Sequence, residues 1–161
     1  MKNNTAIFPG SFDPITIGHV DIVNRSIKLF NNIIIVLSIN AEKQYMFSEE
    51  ERITMVKKVF KKNDKITVVK HDGLTVDFCV QNNIANIIRG IRTYKDFEYE
   101  QNLSFANKAL EPSVETFFLS SKKEHVFISS SIVKDVITNN GKMEPFLPKE
   151  IIPYVSSQLT Q

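Results

Sequence analysis

Apolar positions along the chain follow two alternating periods. The run "NIIIVLSI" (32–39) is apolar at almost every position and rich in β-branched residues, the pattern of a strand covered on both faces. Shorter runs at "TAIF" (5–8), "KITVVK" (65–70), "ANIIR" (85–89) and "VETFFLS" (114–120) predict four more strands. Between them the spacing turns helical. Val20, Val23, Ile27 and Phe30 predict a helix over 19–30. "SEEE" (48–51) is a capping box, with Ser48 at the cap and Glu51 three residues on; the helix it opens runs to Phe60 with Ile53, Val56 and Phe60 inward. Further helices are expected over 75–83, 94–110, 131–141 with Gly141 near the end, and 148–158. Strand and helix alternate throughout. With right-handed crossovers the order predicts an α/β fold, a doubly wound five-stranded parallel sheet, Rossmann-like, with helices on both faces. Without repeats or linkers, residues 1–161 read as a single domain.

Composition narrows the partners. The chain is 42% hydrophobic and 24% charged, a globular balance, and its net charge of +2 gives no bulk attraction to nucleic acid. Cys79 is the only cysteine, so neither an internal disulfide nor a multi-cysteine zinc site can form. The apolar stretch near the N-terminus stops at Pro9, too early for a secretory leader, and "IIIVLSI" (33–39) is too short to span a bilayer. A cytoplasmic protein without a membrane partner is expected.

Parallel sheets of this kind bind ligands beyond the carboxyl ends of their strands, so the residues just past each strand matter most. After the first comes "PGSFDPITIGH" (9–19): two prolines, two glycines, the hydroxyls of Ser11 and Thr16, and His19 where a helix opens. Unpaired amides and the positive end of the helix dipole make that place a seat for phosphate. The segment is neither a Walker loop nor a G-x-G-x-x-G fingerprint. Lys43 comes after the second strand. Arg89 and Arg92 flank Gly90 and Ile91 after the fourth, placed either to turn two guanidiniums into one space or to pair with Asp96, Glu98 or Glu100. Ser129, Ser130 and Ser131 precede the 131–141 helix, two more hydroxyls than an N-cap requires, with Lys134 one turn in. His125, just upstream, could stack on a flat base. No cluster has metal-ligand spacing, and no activated nucleophile is evident. Groups that position phosphates and neutralise charge without becoming covalently attached suit phosphoryl or nucleotidyl transfer.

"TIGH" (16–19) fits the H/T-x-G-H signature of the nucleotidyltransferase superfamily, and "ISSS" (128–131) fits its I-S-S-S/T signature. With "RGIR" and "DFEYE" added, the chain closely resembles the bacterial phosphopantetheine adenylyltransferase family from about Ala6 to Leu147. The resemblance implies adenylyl transfer from ATP, accompanied by Mg2+, to 4'-phosphopantetheine, giving dephospho-coenzyme A and pyrophosphate. It implies that His19 stabilises the transition state, that Lys43 bridges the substrates at the transferring phosphate, and that Ser11 and Phe12 bind ATP, Ser11 also facing the acceptor. Arg89 and the Thr75 region would hold the pantetheine arm. Gly90, Ile91, Arg92 and Glu100 would line the nucleotide site. His125, Val126, Phe127, Ile128, Ser129, Ser130 and Ser131 would cradle the adenine and the outer phosphates. It also implies a homohexamer, for which the several apolar faces of the 94–110 helix offer surface. Other members of the superfamily use different acceptors, such as nicotinamide mononucleotide or glycerol phosphate, and "RGIR…DFEYE" is the segment that distinguishes them.

Overall fold

A computed structural model describes residues 4–39 and 44–159. Five strands, β1 (Thr5–Gly10), β2 (Asn32–Ile39), β3 (Ile66–Asp72), β4 (Asn86–Ile91) and β5 (Glu115–Ser120), form one parallel sheet in the order β3-β2-β1-β4-β5. Six helices connect or follow them: α1 (Ile17–Ser26), α2 (Glu49–Phe60), α3 (Thr75–Gln81), α4 (Tyr94–Leu110), α5 (Ser130–Thr138) and α6 (Ile152–Gln158). The order reverses between β1 and β4, where Ala6 pairs with Asn86 and Ile7 with Ile87. That reversal opens a crevice at the carboxyl ends of these two strands.

Strand β2 shows why a continuous apolar run was needed. Ile33, Ile35 and Leu37 belong to the larger core, with Phe8, Ile22, Met55, Val133 and Val155 from β1, α1, α2, α5 and α6. Val36 faces the smaller core beside Ile7, Phe78, Cys79 and Ile87. Helices therefore cover both faces, as the pattern predicts.

The expected capping box is present: Ser48 accepts from the Glu51 N–H, and Glu51 accepts from the Ser48 N–H at 2.6 Å. Helix α1 ends earlier than the expected Phe30. The Ser26 hydroxyl bonds back to the Ile22 carbonyl at 2.8 Å, and Lys28 and Leu29 donate three residues back, so the last turn tightens and leaves the α-helix. At the end of α5 the left-handed residue is Asn140 (φ 56°) rather than Gly141. Asn140 donates to Ile137 and Gly141 to Val136, a Schellman closure; a Cβ on Gly141 would lie 2.8 Å from the Val136 side chain. Helix α4 has the expected bounds, but Tyr94, Tyr99, Phe105 and Leu110 are exposed and Glu100 is its buried residue. No helix among the described residues is long and apolar enough to cross a membrane.

Candidate active site

The crevice at the β1/β4 reversal is a cavity of about 560 Å³. It collects side chains from the exits of β1 and β4, from the segment after β2 and from the start of α5.

Leaving β1, the chain turns sharply. Phe12 is left-handed (φ 49°) and its ring is buried, edge-on to Phe8 and His19 at 5.7 and 5.2 Å. Gly10 makes room for this, since a Cβ there would stand 3.0 Å from the Phe12 ring. Asp13, 3% exposed, then joins three segments. Its carboxylate accepts from the N–H groups of Met46 and Phe47, both at 3.0 Å, and from Lys134 Nζ at 3.1 Å. The loop after β1, the segment after β2 and helix α5 are thus held by one buried carboxylate.

Thr16 caps α1, and His19 is the reciprocal partner in the place where a Glu or Gln is usual. The Thr16 N–H donates to His19 Nδ1 at 3.0 Å. Nδ1 must then carry a lone pair, which puts the imidazole proton on Nε2. Burial lowers the His19 pKa to about 4, helped by the positive charges of Arg92 and then Arg89. His19 is therefore a neutral, oriented N–H donor at neutral pH. The helix amides are less available than a bare N-terminus suggests. Ile17 N–H donates to the Phe146 carbonyl at 2.9 Å and His19 N–H to Thr16 Oγ1, leaving Gly18 N–H as the first-turn donor without an acceptor among the described residues. Helix α5 offers more. Ile132 N–H is taken by the Ser129 hydroxyl, while the amides of Ser130 and Ser131 have no acceptor among the described residues.

Both arginines expected after β4 line the cavity, and both are paired, so the two readings of that motif hold together. Arg89 makes a forked pair with Glu100, at 2.6 Å from Nε and 2.5 Å from Nη2, and donates to the Pro9 carbonyl at 2.7 Å. Arg92 forks onto Asp96 at 2.9 and 3.1 Å and reaches the Ile128 carbonyl at 3.3 Å. Gly90 between them leaves space for Ile22, whose Cγ1 would lie 3.2 Å from a Cβ. With Lys134 on Asp13, three cations line the cavity among the described residues, each facing a carboxylate.

The three serines divide their work. Ser129 caps α5, Ser130 donates to the Pro14 carbonyl at 3.0 Å, and the Ser131 hydroxyl has no partner among the described residues. His125 lies in a short 3-10 turn, Lys123–His125, with its Nδ1 buried and without a partner among the described residues.

Of the residues singled out in the sequence, the cavity brings together Ser11, Phe12, His19, Arg89, Gly90, Arg92, Glu100, His125, Ile128, Ser129, Ser130 and Ser131. Thr75, at the start of α3, is not among its lining residues. Neither are Ile91, Val126 and Phe127; Phe127 is exposed and lies edge-on to Phe146. Lys43 lies outside the described residues. Asp13 and Arg52 escaped sequence reasoning as structural supports of the site, and Thr16, named there for its hydroxyl, spends that hydroxyl on capping α1. Arg52 carried a signal, because it stands three and four residues before the inward Met55 and Val56 on α2.

A family model described as Cytidylyltransferase-like matches residues 7–136. The phosphopantetheine adenylyltransferase of Flavobacterium psychrophilum is 47% identical over 146 residues, 91% of this chain and 96% of the relative. That of Leptospira biflexa is 50% identical over 143 residues, 89% of each. The chain belongs to the phosphopantetheine adenylyltransferase family. The Clostridium botulinum member of this family, 39% identical over 155 residues, matches 96% of the chain, so the likeness takes in every strand and the whole cavity. The parallel five-stranded sheet is the nucleotidyltransferase architecture expected of a family member.

Proposed function

We propose that this chain transfers the adenylyl group of ATP to 4'-phosphopantetheine, giving dephospho-coenzyme A and pyrophosphate. An oxygen of the acceptor phosphate attacks the α-phosphorus in line; the new P–O bond forms as the bond to the β-phosphate oxygen breaks, and pyrophosphate leaves. The acceptor phosphate is already ionised, so no general base is required. The observation that carries this reading is the oriented, neutral Nε2–H of His19 in one cavity with two arginines and the α5 amides that have no acceptor among the described residues. Such donors matter most where charge accumulates on the α-phosphate. Direct transfer is favoured over a covalent enzyme intermediate because Cys79 is buried in the smaller core with its thiol pushed up to about 11 by that burial.

His19 would donate to the α-phosphate, and Lys43 would bridge it to the acceptor. Ser11 and Phe12 would bind ATP, with Ser11 also facing the acceptor phosphate. Gly90, Ile91, Arg92 and Glu100 would border the nucleotide, with the segment from His125 through Val126, Phe127, Ile128, Ser129 and Ser130 to Ser131 around adenine and the outer phosphates. Arg89 and Thr75 would serve the pantetheine side. Mg2+ would enter on the ATP phosphates as part of that co-substrate. Among the described residues no trio of His, Cys, Asp or Glu could hold a metal, and the carboxylates of Asp13, Asp96 and Glu100 already face cations, so none of these side chains is assigned as a ligand. The exposed aromatic and aliphatic surface of α4 supports assembly as a homohexamer, and the use of ATP as co-substrate supports a cytoplasmic location.

The test is pyrophosphate release from ATP with a panel of acceptors. Release with 4'-phosphopantetheine, and not with nicotinamide mononucleotide or glycerol phosphate, is expected. Release with one of the others alone would reassign the acceptor, and no release with any would reject catalysis.

A further inference from the structure

Arg52 is a charged residue where a packing residue would serve. It is 2% exposed and lies in register with Met55 and Val56 on the inward face of α2. Among the described residues it pairs with no carboxylate, and its Nε–H has no acceptor. Its guanidinium lies over the Tyr45 ring, 3.8 Å from the centroid, and Nη1 donates to the Ser11 carbonyl at 2.9 Å. A buried guanidinium without a counter-ion is costly, and a leucine or methionine would fill the same helix position without that cost.

The bond to Ser11 suggests what the charge does. The peptide between Ser11 and Phe12 is trans, so its C=O and N–H point to opposite sides. Arg52 holds the carbonyl from inside the protein; it does not line the cavity, whereas Ser11 and Phe12 do. The Phe12 N–H has no acceptor among the described residues, and Phe12 is held in the left-handed region that an aromatic residue seldom adopts. From this geometry we infer that Arg52 is a positioning residue: by gripping the Ser11 carbonyl it fixes the Ser11–Phe12 peptide so that the Phe12 N–H faces the cavity as a phosphate donor. Stacking on Tyr45 ties the same guanidinium to the segment after β2, so both loops keep one alignment. The inference rests on the proposed nucleotidyl transfer for the identity of the phosphate, but its test does not require turnover.

The experiment is to monitor the Phe12 amide resonance of the 15N-labelled protein during titration with inorganic pyrophosphate. In the unaltered chain the Phe12 amide should shift saturably. In Arg52→Met the pyrophosphate affinity read at Phe12 should fall about 10-fold, the loss of one charge-assisted bond, and Arg52→Lys, which keeps a donor, should recover part of it. A role confined to stability would lower the melting temperature of both variants and leave the affinity of the folded fraction unchanged. A folded Arg52→Met protein with unaltered affinity, or a Phe12 amide that ignores pyrophosphate in the unaltered chain, would overturn the inference. If Arg52→Met does not fold, Arg52→Lys and Tyr45→Leu decide: each should weaken binding by about 3-fold, and unchanged affinity in both rejects the role. An intact Phe12 response in a protein that turns over no acceptor would reject the functional reading alone.

Discussion

Replacing Asp13 by Asn keeps the shape of the side chain and removes its charge. The carboxylate accepts three bonds, two from backbone amides and one from Lys134. An amide side chain has one oxygen, and its NH2 would confront a donor. At least one of the Met46 and Phe47 N–H groups then loses its acceptor inside the protein, costing about 1–3 kcal/mol. The bonds that survive lose their charge assistance, about 1 kcal/mol more. Lys134 has 31% of its side chain exposed, so its stranded ammonium is partly rescued by water and adds about 1 kcal/mol or less. The sum is about 2–5 kcal/mol, equivalent in a chain of this size to a fall in melting temperature of roughly 10 °C. Lys134→Met leaves the two backbone bonds intact but strips the buried carboxylate of its counter-ion, and should cost about 3 kcal/mol. The double variant should be less destabilised than the sum of the singles, because the stranded ammonium is gone. Thermal unfolding by circular dichroism, at matched protein concentrations, measures all three. An Asp13→Asn protein that melts within about 2 °C of the unaltered chain would refute the reasoning that this carboxylate carries the joint between the three segments.

The His19 imidazole should titrate near 4 in the free protein and show the Nε2–H tautomer by 15N NMR; a midpoint near 6.5 would contradict its neutral state. Because the folded pKa lies below the unfolded value, the unfolded chain binds the proton first as pH falls from 6.5 toward 4, so this group's contribution to stability is complete above 6.5 and is lost across that interval. His19→Ala should slow turnover by roughly 10²–10³ with ATP affinity changed only a few-fold, as measured by steady-state kinetics and calorimetry. Thr16→Val removes the hydroxyl cap, should cost about 1 kcal/mol in thermal unfolding, and should be largely reversed by Thr16→Ser. Arg89→Ala should raise the KM for the acceptor; it also strands Glu100, so Arg89→Ala with Glu100→Gln should melt higher than Arg89→Ala alone.

The architecture was legible because each element announces its own period. β2 must satisfy two cores, and the only pattern that does so is apolar at consecutive positions. The ligand-facing edge came from topology, and the motif residues beside it could be named. What could not be named were partners distant along the chain. Nothing around Asp13 indicates that its acceptor oxygens meet donors 33, 34 and 121 residues away. The charge state of His19 was equally hidden, since it depends on burial and on two arginines that only the folded sheet brings near. The amides of α1 were overcounted for the same reason: their competitor, the Phe146 carbonyl, belongs to another part of the chain.

That last contact bears on synthesis. By the time Ser120 has left the ribosome, every strand of the sheet exists, yet the hydrogen bond from Ile17 to Phe146 cannot form. Neither can the anchorage of Leu147, which is 2% exposed in the finished core. A growing polypeptide of that length has its sheet but an unfinished mouth, and the full loop joining residues 17 and 146 must close before the mouth takes its shape. Nucleotide recognition is thereby deferred until the residues that follow α5 have been made, and a truncated product that reaches β5 but not Phe146 should be unable to sequester ATP.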